Sequence, residues 1–198
     1  LRSAIKRINS WISDENLNKV TNELIRIQTT TLQEANQSIH ETLIHHLSVI
    51  QDLGKGNKGQ TVKIIDFDNI DNNEFIATNQ FKVSGVHQNI IPDILCFVNG
   101  LPLAVIECKS PKVNDAIPEA IDQLMRYSEQ RGAKGEGSQP LFFYNQFIVA
   151  PCRNECKFGT ITTHTEKYFY RWSDPYPLTV DELSHGASAP NDQQRLVA

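Results

Sequence analysis

The sequence contains no apolar run that could cross a membrane, and no secretory leader is visible in it. Even its longer apolar runs, such as residues 101–106, are far shorter than the roughly 20 residues that a spanning helix needs. The chain opens on Leu1 rather than on Met, which indicates a piece of a longer polypeptide. These features together predict a cytoplasmic protein with no membrane partner.

The sequence also lacks an excess of positive charge. It has 19 basic and 23 acidic residues among 198, for a formal net charge of −4. A free-standing DNA-binding domain gains most of its affinity by neutralising phosphates, so this balance argues against one. With 39% apolar and 21% charged residues, the composition predicts one ordinary globular domain with a sizeable core.

Convincing zinc and nucleotide motifs are missing as well. A zinc site needs matched pairs of ligands, whereas the four cysteines have no such partners and are expected to be reduced structural thiols. His40-Glu41 and His45 do not form a zinc-protease helix, because that motif places its histidines four residues apart, not five. The loop at residues 55–60 lacks the Gly-Lys-Ser/Thr of a phosphate-binding loop, so no ATP site is expected in this chain.

The spacing of apolar residues, together with capping and turn residues, predicts helices in the first part of the chain and mainly strands in the rest. Helices are expected in residues 1–13, from Ser13-Asp14 to Ile27, from a capping box at Thr31 to about Leu53 with Gly54 as its stop, and from about Asp115 to before Gly132. Strands are expected at 62–67 and 75–83, which would form a hairpin together, and at 141–149 and 158–162.

The stretch from residue 91 to 111 organises the rest of the chain. Two apolar runs are joined at Asn99-Gly100, the dipeptide most typical of a tight hairpin. Asp93, Glu107 and Lys109 interrupt these runs, and buried charges cost several kcal/mol unless they are paired or bound to a metal. A strict two-residue loop would place Glu107 and Asp93 on opposite faces, whereas a three-residue loop with a bulge would bring all three charges to one face.

Two carboxylates and an amine on one face are suited to phosphodiester hydrolysis. A hard cation such as Mg²⁺ is bound by a few carboxylate oxygens and keeps waters for its substrate. A lysine beside the cation can orient or deprotonate the attacking water and screen the charge of a phosphate. The residues therefore predict a metal-dependent hydrolase site at Asp93, Glu107 and Lys109.

Pro92-Asp93, a 13-residue gap and Glu107-Cys108-Lys109 resemble the PD-(D/E)xK nuclease signature. The flanking residues make the resemblance more specific. Segments 73–75, 79–81, 98–103, 123–127, 144–146 and 159–160 resemble the N-terminal nuclease domain of the type I restriction endonuclease R (motor) subunit. The resemblance extends from Leu1 to about residue 177.

The resemblance implies an α/β fold with a restriction-endonuclease-like core, in which a mixed, mainly antiparallel sheet is flanked by helices and carries an N-terminal helical cap. Residues 1–177 would form the nuclease domain, with a helical part at 1–54 and the sheet core at 55–177. Residues 178–198 would be a linker to a helicase-like motor that this chain does not contain.

The resemblance also implies the roles of site residues. Asp93, Glu107 and the backbone carbonyl of Cys108 would bind Mg²⁺, and Lys109 would assist the attacking water. Gln123 and Tyr127 lie four residues apart on one helix face, where a partly exposed polar edge is the ordinary explanation. By resemblance they would form the added Q-x-x-x-Y motif of the RecB-like and type I nucleases, which supports the site or contacts DNA.

The implied activity is that of a Mg²⁺-dependent type I site-specific deoxyribonuclease that cuts double-stranded DNA. Its implied partners are methyltransferase and specificity subunits and the motor domains of its own full-length chain. ATP and S-adenosylmethionine would be used by the whole complex rather than bound by this domain. Two alternatives remain: another RecB-like nuclease, or a catalytically silent domain that guides DNA or docks subunits.

Overall fold

The computed structural model describes residues 1–27, 31–153 and 155–172 and shows a mixed α/β fold with a mainly antiparallel sheet flanked by helices. The helices are α1 Arg2–Ile8, α2 Asp14–Ile25, α3 Leu32–His45, α4 Ala116–Tyr127 and the single turn α5 Gln139–Phe142. The strands are β1 Leu47–Asp52, β2 Asn57–Val62, β3 Phe75–Asn79, β4 Ile94–Val98, β5 Leu101–Ile106, β6 Phe147–Cys152, β7 Glu155–Gly159 and β8 Tyr170–Arg171. In the described ranges, no helix has the length and apolar character that crossing a membrane requires.

Six strands form the main sheet in the order β3-β4-β5-β6-β7-β8. All neighbours are antiparallel except β5 and β6, which run parallel. The crossover from β5 to β6 contains α4, which is the usual way to connect parallel strands. The fold class expected from the sequence is thus confirmed.

The helix expected in residues 1–13 is shorter than predicted and ends at Ile8, whereas α2 and α3 begin where local signals predict. Ser13 Oγ accepts a hydrogen bond from Asn16 N at 3.2 Å and caps α2. Thr31 Oγ1 accepts one from Glu34 N at 3.3 Å and caps α3. Such caps satisfy helix N–H groups that have no partner within the helix. The apolar faces of these helices pack in a core of their own against the loop end of the central hairpin.

The prediction that the third helix continues to about Leu53 is wrong. The helix ends at His45, because His46 adopts a φ of 63° and leaves the helical path. Residues 47–52 then pair with 57–62 in a separate two-stranded sheet. Gly54, expected as a helix stop, lies instead in the connection between these strands with a φ of 90°. The expected helical segment 1–54 therefore contains a strand.

Four predicted strands also need correction. The strand expected at 75–83 ends at Asn79, because Gln80 adopts a φ of 49°. Residues 63–67 belong to a loop, so 62–67 does not form a hairpin with 75–83, although β3 does lie beside the central hairpin. The segment 141–149 begins in α5, and its strand starts only at Phe147. Strand β7 ends at Gly159, because Thr163 N donates to Thr160 O at 2.9 Å and closes a turn there. The proposed linker 178–198 and residues 173–177 lie outside the described ranges.

Helix α4 covers one face of the sheet and forms the main core with it. Its buried side chains include Ala120, Ile121 and Leu124, which pack with Leu95 and Val105 of the central hairpin. Burying a side chain such as Leu124 stabilises the fold by about 1.5–3 kcal/mol. This packing fixes α4 over the strand ends that carry the acidic residues.

Candidate active site

The central hairpin turns at Asn99 and Gly100, which have φ values of 54° and 84°. Val98 pairs with Leu101, so the loop has two residues and the expected three-residue loop is wrong. Positive φ values at both positions define a type I′ turn, whose twist matches that of the flanking strands. Gly100 packs closely against Leu1, where an added Cβ would lie 2.5 Å from the backbone nitrogen.

A β-bulge lies within β5 rather than in the loop. Phe97 pairs with Pro102 and Cys96 with Ala104, so Leu103 is the extra residue. The bulge shifts the register by one residue, and Ile94 therefore pairs with Ile106. An inserted residue of this kind moves every following side chain to the other face. The bulge brings Asp93 and Glu107 to the same face, which is the effect that was expected of a bulge from the sequence.

The acidic end of β5 continues beside β6 after the regular strand ends. Glu107 N donates to Val149 O at 2.9 Å, and Lys109 N donates to Pro151 O at 3.1 Å. Because side chains alternate along an extended chain, Glu107 and Lys109 share the face of Val105, which α4 covers. Asp93 joins them, since Cys108 N donates to Asp93 Oδ2 at 2.8 Å.

Lys109 links the acidic residues to α4. Its Nζ donates to Glu107 Oε1 at 3.1 Å and to Gln123 Oε1 at 2.6 Å. Gln123 Nε2 donates in turn to Tyr127 Oη at 2.5 Å, and Tyr127 Oη donates to Ile91 O at 3.2 Å. Hydrogen bonds thus link the side chains of Glu107, Lys109, Gln123 and Tyr127, and Asp93 joins this cluster through the backbone N–H of Cys108. Tyr127 is only 2% exposed, so its hydroxyl faces protein rather than solvent.

Glu107 is a buried member of this cluster with one carboxylate oxygen left over. It is 3% exposed, and within the described ranges no group donates a hydrogen bond to its Oε2. Burial raises the pKa of this carboxyl, the nearby charge of Asp93 raises it further, and the hydrogen bond from Lys109 partly offsets both. A buried carboxylate oxygen without a partner is costly, and an added cation would relieve that cost.

The donors present fit a small, hard cation. Glu107 Oε2 is free of hydrogen bonds in the described part of the chain, and Asp93 lies next to it with one oxygen bound to Cys108 N. No set of three or more histidine, cysteine, aspartate or glutamate side chains suited to a metal occurs in the described ranges. A cation held by these two carboxylates would therefore need backbone and water oxygens to complete its ligand set, and Mg²⁺ favours such a set.

The thiol of Cys108 is protonated at neutral pH in the metal-free protein and lies away from the acidic residues. Burial raises its pKa to about 11, with further increases from the charges of Asp93 and Glu107. The thiolate is the form that attacks substrates, and it is suppressed at such a pKa. Because side chains alternate along an extended chain, Cys108 packs with Ile106 on the face opposite Glu107 and Lys109. Its backbone N–H, by contrast, bonds to Asp93 among the acidic residues.

Glu119 is a neighbour of the site that the sequence alone did not indicate. Its Oε1 lies 3.8 Å from Lys109 Nζ. It precedes Gln123 by four residues, so both side chains lie on the same face of α4 as Tyr127. The four-residue spacing of Glu119 and Gln123 was the signal in the sequence that could have indicated Glu119. It becomes informative only when Lys109 is known to face α4.

The sequence is similar to a family of known proteins. The sequence profile of the family described as "Type I restriction enzyme R protein N terminus" matches residues 1–167. The chain belongs to this family.

Several relatives have names that agree with the family. The chain is 31% identical over 169 residues to the putative type I restriction enzyme MjaIXP endonuclease subunit of Methanocaldococcus jannaschii, a match that covers 84% of this chain and 16% of the relative. It is 28% identical over 169 residues to the type I restriction enzyme HindI endonuclease subunit of Haemophilus influenzae, covering 85% and 16%. It is 34% identical over 134 residues to the type I restriction enzyme EcoprrI endonuclease subunit of Escherichia coli, covering 68% and 39%. The chain thus spans about 16% of the length of the first two relatives.

Proposed function

We propose that this domain cuts double-stranded DNA as the metal-dependent nuclease domain of a type I restriction enzyme R subunit. The observation that carries the proposal is the buried Glu107 next to the charge of Asp93: among the described residues nothing donates to its Oε2, while its Oε1 accepts from Lys109. Structural ion pairs seldom leave a buried carboxylate oxygen without a donor. The family and the names of the relatives support the same reaction class.

Asp93, Glu107 and the backbone carbonyl of Cys108 would hold Mg²⁺. When bound, the cation supplies positive charge for the scissile phosphate and lowers the pKa of a bound water. The protein's own contribution is to exclude solvent around Glu107 and to fix the direction of both carboxylates. The bond from Cys108 N to Asp93 Oδ2 supports this role, because it leaves the other oxygen of Asp93 for the cation.

Lys109 would orient the attacking water and screen the charge of the phosphate. Its ammonium is held by Gln123, which donates to Tyr127 Oη, and the Tyr127 hydroxyl donates in turn to the carbonyl of Ile91. A long, flexible side chain such as lysine can hold its ammonium in a defined position when several acceptors bind it. Gln123 and Tyr127 would therefore support the site rather than take part in the reaction.

The partners of the domain follow from the family and from its charge. With a net charge of −4, the domain has little electrostatic affinity for DNA of its own. Methyltransferase and specificity subunits would recognise the DNA site, and the motor domains of the full-length chain would deliver DNA to the nuclease. ATP and S-adenosylmethionine would serve those other parts of the complex.

The test is cleavage of circular DNA by the complete complex with Mg²⁺ and ATP. Asp93→Ala and Lys109→Met should each abolish cleavage while ATP hydrolysis and assembly persist. Asp122→Asn is a matched control, because Asp122 lies on the same helix but pairs with Arg131 on the surface. If both site variants still cut, the catalytic centre lies elsewhere and the domain guides DNA or docks subunits.

A further inference from the structure

Lys109 lies between two carboxylates that differ strongly in exposure. Its ammonium is 3.1 Å from Glu107 Oε1 and 3.8 Å from Glu119 Oε1. The side chain of Glu107 is 3% exposed, whereas that of Glu119 is 54% exposed. The ammonium therefore has a close, buried counter-ion and a second one at slightly greater distance on the solvent side.

A cation at Glu107 changes the balance between these two contacts. A divalent ion on that carboxylate competes with the ammonium for the same negative charge and repels it. Lys109 then needs another counter-ion if it is to stay at the site. A charge-assisted hydrogen bond measures about 2.7–2.9 Å, so the distance to Glu119 would have to shorten by only about 1 Å.

We propose that Glu119 is a positioning residue that receives the Lys109 ammonium when a divalent cation occupies Glu107. This inference rests on the proposed function and deepens it. Gln123 bonds to Lys109 at 2.6 Å and lies one helical turn from Glu119, so it can act as the pivot for the ammonium. The ammonium thus has one acceptor in each state besides Gln123, and cation binding does not leave it without a counter-ion.

The unpartnered oxygen of Glu107, which also supports the proposed function, is compatible with this arrangement. Glu107 Oε2 has no donor in the described ranges, although an ammonium with three protons lies beside the same carboxylate. The Lys109 bond to Glu107 thus uses one oxygen only. The geometry leaves the other oxygen open to a cation while the ammonium remains next to Glu119.

The test measures Mn²⁺ binding to the nucleotide-free, full-length R subunit by electron paramagnetic resonance. Asp93→Ala identifies the signal that belongs to this site. Glu119→Gln should raise the dissociation constant of that site about two- to fivefold, the range expected for one partly exposed ion pair. Glu119→Asp, which keeps the charge, should have a smaller effect. Asp122→Asn, another exposed acid of α4, should leave the constant unchanged.

A second substitution separates positioning from direct metal binding. In a Lys109→Met background there is no ammonium to receive, so Glu119→Gln should change the Mn²⁺ dissociation constant by less than half as much on a logarithmic scale. Equal effects in both backgrounds would show that Glu119 acts on the cation itself and would overturn the inference. So would an unchanged constant in Glu119→Gln. If Asp93→Ala leaves Mn²⁺ binding intact, the proposed metal site fails and the inference fails with it.

Discussion

The backbone N–H of Cys108 donates a 2.8 Å hydrogen bond to Asp93 Oδ2, and this bond joins the two strands of the hairpin where their acidic residues meet. One oxygen of Asp93 therefore has a structural role, and under the proposed function its other oxygen would bind the cation. The two functions can be separated by substitution, because an asparagine keeps the acceptor while it removes the charge.

Asp93→Asn and Asp93→Ala should both abolish DNA cleavage, but they should differ in stability. The asparagine can still accept from Cys108 N, whereas the alanine leaves that partly buried N–H without its acceptor. We expect the alanine variant to be less stable than the asparagine variant by about 1 kcal/mol. Urea unfolding without divalent cations measures the difference. Equal stabilities, or cleavage by the asparagine variant at the wild-type rate, would contradict this prediction.

Mg²⁺ should stabilise the wild-type protein and not Glu107→Gln. A ligand that binds only the folded state adds about 2.7 kcal/mol of stability at a concentration 100 times its dissociation constant. Glutamine keeps the shape of the side chain and one acceptor for Lys109 but loses the charge that attracts a cation. The measurement is the unfolding temperature with and without Mg²⁺. An equal increase in both proteins would place the responsible site away from Glu107.

Tyr127→Phe should lower the rate of DNA cleavage without changing ATP hydrolysis. The substitution keeps the buried ring but removes the hydroxyl that accepts from Gln123 and donates to Ile91 O. We expect a stability loss of about 1 kcal/mol, typical of lost hydrogen bonds, and a less well-held Lys109. Tyr168→Phe is the control, because Tyr168 is 63% exposed. Weaker DNA binding with normal cleavage at saturating DNA would instead indicate a contact with DNA.

Local signals in the sequence were sufficient for part of this fold. Ser13 and Thr31 marked helix starts correctly because a cap depends on a few adjacent residues. Asn99-Gly100 marked the turn because few residues adopt positive φ at both positions. Side chains alternate between the two faces of a strand. Together with the turn signal, this alternation was enough to place Asp93 and Glu107 on one face once a bulge was allowed.

Other features depend on tertiary contacts that local patterns do not encode. Residues 47–52 form a strand because 57–62 pairs with them, although they follow a helical pattern directly. The bulge lies at Leu103 because that side chain packs beneath the N-terminal helices. Glu119 joins the site only through its distance to Lys109, which depends on how α4 packs on the sheet.

Asn99→Gly should destabilise the protein, although glycine readily adopts the positive-φ conformation of this turn. The Asn99 side chain is fully buried, donates to Ile64 O and Asn73 Oδ1, and accepts from Glu74 N, each at 2.9 Å. Its loss leaves these buried groups without partners, at an expected cost of about 2 kcal/mol or more.

Gln80→Gly is the matched control for Asn99→Gly. Gln80 also has a positive φ, of 49°, but it is exposed, and among the described residues its bond is made by the backbone N–H, which donates to Asp93 O. Glycine should therefore relieve strain there without the loss of a side-chain bond, so stability should be unchanged or increase by up to about 1 kcal/mol. Chemical unfolding of both variants checks the pair. A larger loss for Gln80→Gly would mean that backbone conformation, not the Asn99 amide, governs these turns.

The loop between β2 and β3 should make stability dependent on acid pH through Asp66. The hydrogen bond from Asn72, followed by that from Lys63, lowers the pKa of the Asp66 carboxyl from its ordinary value of 3.8 to about 2. The folded state thus prefers the carboxylate, and this contribution is fully present above about pH 4. It is lost as the pH falls from about 4 to about 2, where the folded protein also takes up the proton.

Asp66→Asn should therefore be less stable than the wild type at neutral pH and should approach it as the pH falls through this window. Asp71→Asn, at an exposed acid of the same loop, should keep the wild-type pH profile. The measurement is the free energy of unfolding by urea at a series of pH values from 2 to 6. Parallel profiles for Asp66→Asn and the wild type would mean that the carboxylate contributes nothing to the fold. The same loop holds Asn73, whose Oδ1 accepts from Asp66 N and from Asn99 Nδ2, each at 2.9 Å, so acid disruption of the loop would also remove a partner of the hairpin turn.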